Sequence, residues 1–235
     1  GMARAGLRRD QHVVVVGENR PRLYASMLAV QSLGAVPVPL YQDAASTEFV
    51  FPINNADVTF AVVEDQEQVD KLIEIRAQCP GLARICYDDP RGLRKYDEPG
   101  LSSLDSLIEA GRAHHAAHPD FFDAEVAKAQ PSDVAAMFFT SGTTGNPKGV
   151  MHSFDNFAWS IASGLKRIEL SDNARMLSFL PLSHVAERML VEHAWFAKSI
   201  HLFFAESLDT FAQDLQRARP TAFFAVPRLW VKFQQ

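Results

Sequence analysis

Cysteine is scarce in this sequence: of 235 residues only Cys79 and Cys86 carry a thiol. With no secretory signal in view, the pair fits a reduced intracellular protein better than a disulfide scaffold or a metal knuckle. Long apolar runs are also missing, and none approaches the about 18 to 20 residues that a membrane-crossing helix needs. Basic blocks are absent as well. The 23 Lys and Arg against 28 Asp and Glu leave a formal net charge of −5, and the pair Arg8–Arg9 is a solvated terminus rather than a binding arm. Nothing here points to nucleic acid. Gly1 ahead of Met2 has the form of a residue left by tag removal and is set aside.

What the chain does have is apolar content, 47% of residues, arranged in short runs. The strand-like runs are Val13–Val16, Val36–Leu40, Val58–Val63, Ala83–Tyr87, Val134–Phe139, Met176–Leu180, Ile200–Phe204 and Thr221–Val226. Helical periodicity fills the stretches 20–33, 46–55, 66–77, 103–117, 155–166, 183–198 and 207–218. Continuous apolar strands that alternate with helices predict an α/β fold with mostly parallel sheet covered on both faces. Pro21 suits the first turn of a helix, where its missing N–H costs nothing. Ser207 is a candidate N-cap, and Pro220 closes the helix that follows it.

Residues 114–133 are rich in His and then in acidic residues, with Pro119 and Pro131 near the end of the stretch. The expected organisation is two adjoining, mostly parallel sheets flanked by helices: a first α/β subdomain over 2–118, a linker over 119–133 and a second, incomplete α/β subdomain over 134–235. His114, His115 and His118 have the i, i+4 spacing of metal ligands. Without an acidic or Cys partner they read as a solvated linker. The sequence stops at Gln235, a turn or two into a helix that starts after Pro227, and a truncated chain is the expectation.

One segment carries chemistry. An apolar strand runs into Thr140-Ser141-Gly142-Thr143-Thr144-Gly145-Asn146-Pro147-Lys148-Gly149, and a second apolar segment follows. Glycines let a backbone turn tightly and aim N–H groups at a ligand. Four hydroxyls add donors and Lys148 adds a cation, which together suit a polyphosphate. A Walker loop is the competitor, but Pro147 stands where it needs Gly and Gly149 where it needs Ser or Thr. Pro147 also disfavours helix at Asn146, whereas a Walker loop enters a helix directly.

The string TSGTTGNPKG resembles the phosphate-binding signature of the adenylate-forming (AMP-binding) superfamily, which holds acyl-CoA synthetases, luciferases and peptide-synthetase adenylation domains. Leu180-Pro181-Leu182-Ser183-His184-Val185-Ala186-Glu187-Arg188 resembles the next core motif in its long-chain fatty acyl-CoA synthetase form, and Ala225-Val226-Pro227-Arg228-Leu229-Trp230 the segment after it. Gly17-Glu18-Asn19-Arg20 and Gly34-Ala35-Val36-Pro37-Val38-Pro39-Leu40 are similar to early segments of that branch. Departures are Phe139 where Tyr is commoner, Val231 where Glu is usual, and Phe154 where a His often stands. The family's later motifs are missing, including its ribose-binding Asp and its C-terminal lysine. The resemblance therefore implies an N-terminal piece of such an enzyme, inactive alone.

By that resemblance the parent is a magnesium- and ATP-dependent ligase. It would activate a carboxylic acid, of the long-chain fatty class, as acyl-AMP and pass it to CoA, in the cytoplasm or with peripheral contact to a membrane. Thr140, Ser141, Gly142, Thr143, Thr144, Gly145 and Lys148 would hold ATP phosphates, with Thr140 the Mg²⁺ ligand. Lys148 would stabilise charge, and His184 would line the acyl and adenylate pocket. The plainer alternatives are a strand-end hydroxyl for Thr140, a surface lysine for Lys148 and a capping or core histidine for His184. Glu187 and Arg188 read as a local ion pair or a helix face. Two other readings stay open: an aryl-CoA ligase or peptide-synthetase adenylation domain, or a non-catalytic nucleotide-binding or scaffold module.

Overall fold

Short apolar segments in the first half of the chain pair side by side in parallel. They are β1 (His12–Val16), β2 (Val36–Leu40), β3 (Phe60–Val63), β4 (Arg84–Tyr87) and β5 (Leu101–Ser103), in the order β2-β1-β3-β4-β5. The structure is a computed structural model that describes residues 1–140, 145–168, 170, 171 and 173–234. Side chains alternate across a strand, so Val14 and Val16 of β1 join one core while Val13 and Val15 join the other. Helices α2 (Ser46–Asn55) and α3 (Gln66–Glu74) cover the first core with Phe49, Ile53, Val69 and Leu72. Helices α1 (Pro21–Ser32) and α4 (Leu104–Ala117) cover the second with Leu23, Met27, Val30, Leu104 and Leu107. Burial on both faces is why the strands read as unbroken apolar runs.

The sheet ends at β2 for a chemical reason. Val36 N–H donates to Gln11 O on the β1 side, so the alternate positions 37 and 39 turn their nitrogens outward. Both are proline and have no hydrogen to donate. Strand β6 (Val134–Thr140) lies alongside β2 but does not join its ladder. It pairs instead with β7 (Lys148–Ser153) in an antiparallel hairpin. Helix α6 (Phe154–Leu165) follows, its first turn capped where Ser153 Oγ accepts from Asn156 N–H at 3.2 Å. Strands β8 (Arg175–Ser178) and β9 (His201–Phe204) then form a parallel pair. A π-helical stretch over Glu187–Glu192 and helix α7 (His193–Lys198) connect them, and α8 (Phe211–Ala218) and α9 (Pro227–Gln234) complete the chain.

The α/β class and the parallel first sheet match the expectation, while the second half holds an antiparallel hairpin and a separate parallel strand pair in place of a second, mostly parallel sheet. Residues 119–133 contain a short helix, α5 (Phe121–Val126). Arg9 ties the stretch down by donating to Glu125 O and to the Asp133 carboxylate. Packing also crosses this stretch, since Met137 sits in the first core and Leu182 in the second. The strand expected over Thr221–Val226 is absent. Thr221 bonds Arg175 at the start of β8, but no ladder continues, because Phe223 turns into an aromatic cluster with Phe179 and Phe211. Ser207 does not cap α8. Its hydroxyl accepts from Thr210 N–H in the preceding turn, and the helix begins after Thr210.

Candidate functional site

The hairpin β6–β7 brings the two ends of the Gly/Thr segment together. Strand β6 is anchored first: Gln31 Nε2 of α1 donates to Ala135 O at 2.8 Å, and Phe138 is buried with Ala135, Ala136 and Phe157. Beyond Phe139 burial ends, and Thr140 is exposed at the strand's tip. Across the antiparallel ladder Thr140 stands opposite Lys148, and Phe139 opposite Gly149. Directly opposed residues place their Cα atoms about 4.5–5.5 Å apart. The hydroxyl and the ammonium named from the sequence therefore flank the mouth of the intervening loop, and both are exposed. Ser141, Gly142, Thr143 and Thr144 lie outside the described residues.

Two glycines here do different work. Gly145 has φ +91°, in the left-handed region, and a Cβ there would meet nothing within 4 Å. Its need is conformational. At Gly149 a Cβ would sit 3.0 Å from Met137 Sδ and 3.4 Å from Phe139 Cζ, so this glycine makes room for the opposite strand's side chains. After Pro147 the chain enters a strand and not a helix, which removes the Walker geometry.

His184 sits on a separate turn, between β8 and the π-helical stretch. Its ring is exposed, and its Nδ1 accepts the Ala186 N–H at 3.1 Å, so the side chain caps the turn it stands on. The turn neighbours the hairpin's base, because Val185 and Met189 pack against the cluster that holds Phe138.

Beneath that turn lies a buried polar network that the sequence reading missed. Glu187 is fully buried. Its Oε1 accepts from Tyr24 OH at 2.6 Å and Ser178 Oγ at 2.5 Å, and its Oε2 from Leu180 N–H at 3.2 Å. Asn19 Nδ2 donates to Ser178 Oγ and to Leu180 O at 2.7 and 2.9 Å. Burial lifts the Glu187 carboxyl to about 7, against the hydrogen bonds that favour its charged form. The expected pairing of Glu187 with Arg188 does not form. Arg188 forms an ion pair with Glu192 instead, N to O at 2.6 Å, with both side chains wholly buried. The π-helical turn makes this possible, since it repeats near every fifth residue and sends Glu187 and Glu192 inward together. Burial also raises Glu192 to about 7 and lowers His193, stacked on Phe157 at 4.3 Å, to about 4. A signal was present in the sequence, for Glu187, Arg188 and Glu192 interrupt an otherwise apolar face.

At the same corner Arg20 holds the strand pair. Its Nε bonds Glu64 at 2.7 Å, and its Nη1 and Nη2 donate to Ala205 O and Glu206 O. Thus the turn Gly17–Arg20, at the end of β1 where the chain switches direction across the sheet, grips the ends of β8 and β9. Crevices of this kind commonly receive ligands. Here the second half of the chain fills it.

For a bound group the donor set fits an anion: a cation, a hydroxyl and a glycine-opened loop backbone. A hard cation such as Mg²⁺ needs few protein ligands when phosphates and waters supply the rest, and the exposed Thr140 hydroxyl fits one such position. Among the described residues no three His, Cys, Asp or Glu side chains converge as a metal cluster. An apolar groove of about 460 Å³, lined by residues of α1, α4 and α5, lies away from these residues.

A family model described as AMP-binding enzyme matches residues 1–235. The chain is 30% identical over 244 residues to the long-chain-fatty-acid–CoA ligase ACSBG2 of Xenopus laevis, covering 100% of this chain and 32% of that protein. It spans about a third of the length of the curated relatives it matches. Among solved structures it resembles the N-terminal domain of FACL13 from Mycobacterium tuberculosis, with TM-score 0.76, 20% identity, and 100% of this chain and 54% of that one covered. It also resembles a long-chain-fatty-acid-CoA ligase (FadD1) from Archaeoglobus fulgidus, with TM-score 0.78, 24% identity, and 97% and 42% covered. At these identities the two structures share its fold.

Proposed function

Since the chain belongs to the AMP-binding enzyme family, we propose that its β6–β7 hairpin grips the phosphates of ATP in an enzyme that joins a fatty acid to CoA. The observation that carries this is the register of the hairpin, which sets Thr140 against Lys148 at the mouth of the Gly/Thr loop.

In the first half-reaction a carboxylate oxygen of the acid attacks the α-phosphorus of ATP. The bond from that phosphorus to the bridging oxygen breaks, and pyrophosphate leaves with the electron pair. The protein's task is to hold the reactants in line and meet the charge that builds on the leaving group. Lys148 supplies a fixed positive charge there, and the hydroxyls and amides of the loop supply donors. Thr140 would hold Mg²⁺ through its hydroxyl, and the ion would supply further neutralisation of the phosphates. No side chain of the loop needs to take a proton. In the second half-reaction the CoA thiol attacks the acyl carbonyl, its proton is lost, and AMP departs. His184, on its exposed turn beside the hairpin, is assigned to the wall that receives the acyl-adenylate.

The fatty-acid class is supported by the relatives' own descriptions, which name long-chain fatty acids, and by the form of Leu180–Arg188. A cytoplasmic or membrane-peripheral place belongs to the same proposal. The test is acid-dependent exchange of labelled pyrophosphate into ATP by the complete gene product, with fatty, aryl and amino acids compared. Exchange driven best by a fatty acid is the expected result. Exchange driven only by aryl or amino acids would move the enzyme to another branch of the family, and none with any acid would remove the activity.

A further inference from the structure

The backbone of Leu180 is held by side chains at both of the peptide groups that flank its Cα. Its N–H donates to Glu187 Oε2 at 3.2 Å, and its carbonyl accepts from Asn19 Nδ2 at 2.9 Å. Glu187, Asn19 and Leu180 are all buried. From this residue the chain enters Pro181 and the turn that carries His184, and that turn closes on itself through His184 N–H to Pro181 O at 2.8 Å and Glu187 N–H to His184 O at 3.0 Å. Glu187 therefore stands at the far end of the same turn and reaches back to its start. Asn19 comes from elsewhere, the turn that leaves β1.

We infer that Glu187 and Asn19 are positioning residues for His184, fixing the Leu180 backbone and with it the turn that presents the imidazole to the acyl-adenylate. The inference rests on the reading of His184 as part of that wall. Neither residue touches the reacting atoms. Glu187 acts through the backbone, and its second oxygen is tied to Tyr24 and Ser178, so it cannot swing away without breaking buried hydrogen bonds. Asn19 likewise bonds Ser178 as well as Leu180. The arrangement also explains why a carboxylate sits in an apolar interior. A leucine of similar size would fill the space and leave the Leu180 N–H and the Tyr24 hydroxyl without their acceptor.

The experiment compares Glu187→Leu, Glu187→Gln and Tyr24→Phe in the 235-residue chain by NMR. It reads the His184 imidazole resonances and the amide exchange of Leu180 and of Leu182 through Ala186. Glu187→Leu is expected to move the imidazole signals and speed exchange of those amides about tenfold, the upper end of what one hydrogen bond contributes. Amides of β1 and β3 should change far less. Glu187→Gln should restore the wild-type pattern, because its amide oxygen can accept from Leu180 while its nitrogen donates to the hydroxyls. Tyr24→Phe should lower stability yet leave the His184 signals in place. If Glu187→Leu does not fold, Asn19→Ala frees the carbonyl of the same residue and is read by the same signals.

Unchanged His184 signals in Glu187→Leu or Asn19→Ala, or equal changes in Tyr24→Phe, would overturn the inference. A second arm measures acid-dependent pyrophosphate exchange by the complete gene product. The expected loss with Glu187→Leu appears in the apparent affinity for the acid, with the affinity for ATP retained. A loosened turn with unaltered dependence on acid would leave the positioning role standing and refute the reading of His184.

Discussion

Replacing Glu192 with Gln should be among the most damaging single changes in the chain. Glu192 and Arg188 are 0% exposed and 2.6 Å apart. Arg188 Nη1 also contacts Met27 Sδ at 2.9 Å, while its Nε and Nη2 find no partner among the described residues. The guanidinium thus depends on one carboxylate. Removing that charge at nearly constant volume leaves a buried cation alone, which costs about 3–5 kcal/mol. Against a total stability of about 5–15 kcal/mol the loss is severe. Arg188→Met should cost less at pH 6 than at pH 8, because a lone carboxyl escapes the penalty by taking a proton. Replacing both residues, Arg188→Met with Glu192→Leu, should be close to neutral or stabilising by about 1–4 kcal/mol. Urea unfolding at pH 8, followed by tryptophan fluorescence, measures all four proteins. That pH lies above the value near 7 to which burial lifts Glu192. A Glu192→Gln loss below about 1 kcal/mol, or a double variant as unstable as the sum of the single ones, would refute the reasoning.

Other outcomes follow from the same structure. His193 has a folded-state value near 4 against an ordinary 6.5, because burial opposes its charge. Its contribution to stability is therefore full above pH 6.5 and lost as pH falls toward 4, and His193→Phe should flatten that part of a stability–pH curve. Glu187 has the opposite sign. Its value is raised from 4.5 to about 7, so its contribution is full below pH 4.5 and lost as pH rises to 7, and Glu187→Gln should flatten that rise-side loss in urea titrations. Gly149→Val places a branched side chain where even Cβ meets Met137 Sδ at 3.0 Å. It should cost about 1–3 kcal/mol as overpacking and weaken pyrophosphate binding measured by calorimetry, since Lys148 is the adjoining residue.

Much of this architecture was legible because the first sheet is buried on both faces. Val13–Val16 and Val36–Leu40 read as strands from composition alone, and their bounds agree with the structure to within a residue. That a strand and not a helix follows Pro147 was legible too, because a proline disfavours helix at the residue before it. Strand β7 was harder, since Lys148, Val150 and Met151 are exposed while Gly149 and His152 are half-buried, a pattern without clean alternation. Thr221–Val226 had the propensity of a strand but lacks a ladder partner, and propensity does not supply one. The partners of Glu187 in its network, Tyr24 and Ser178, were invisible for a similar reason. The network's members lie 154 and 9 residues apart in sequence, and a glutamate beside an arginine looks like a surface pair until a π-helical turn sends both inward. The Gly17–Arg20 segment was noticed only as a likeness. Its work, gripping Leu180, Ala205 and Glu206, is a tertiary fact.

The central claim is that the hairpin acts on the leaving pyrophosphate. The most direct test is Lys148→Ala in the complete gene product, with the two half-reactions measured separately. Pyrophosphate departs only in the first, so acid-dependent adenylation should fall about 10²-fold or more, as when a preorganised charge-stabilising donor is removed. Transfer of a preformed acyl-adenylate to CoA should continue at essentially the wild-type rate. Equal losses in both half-reactions, or none in the first, would contradict the account.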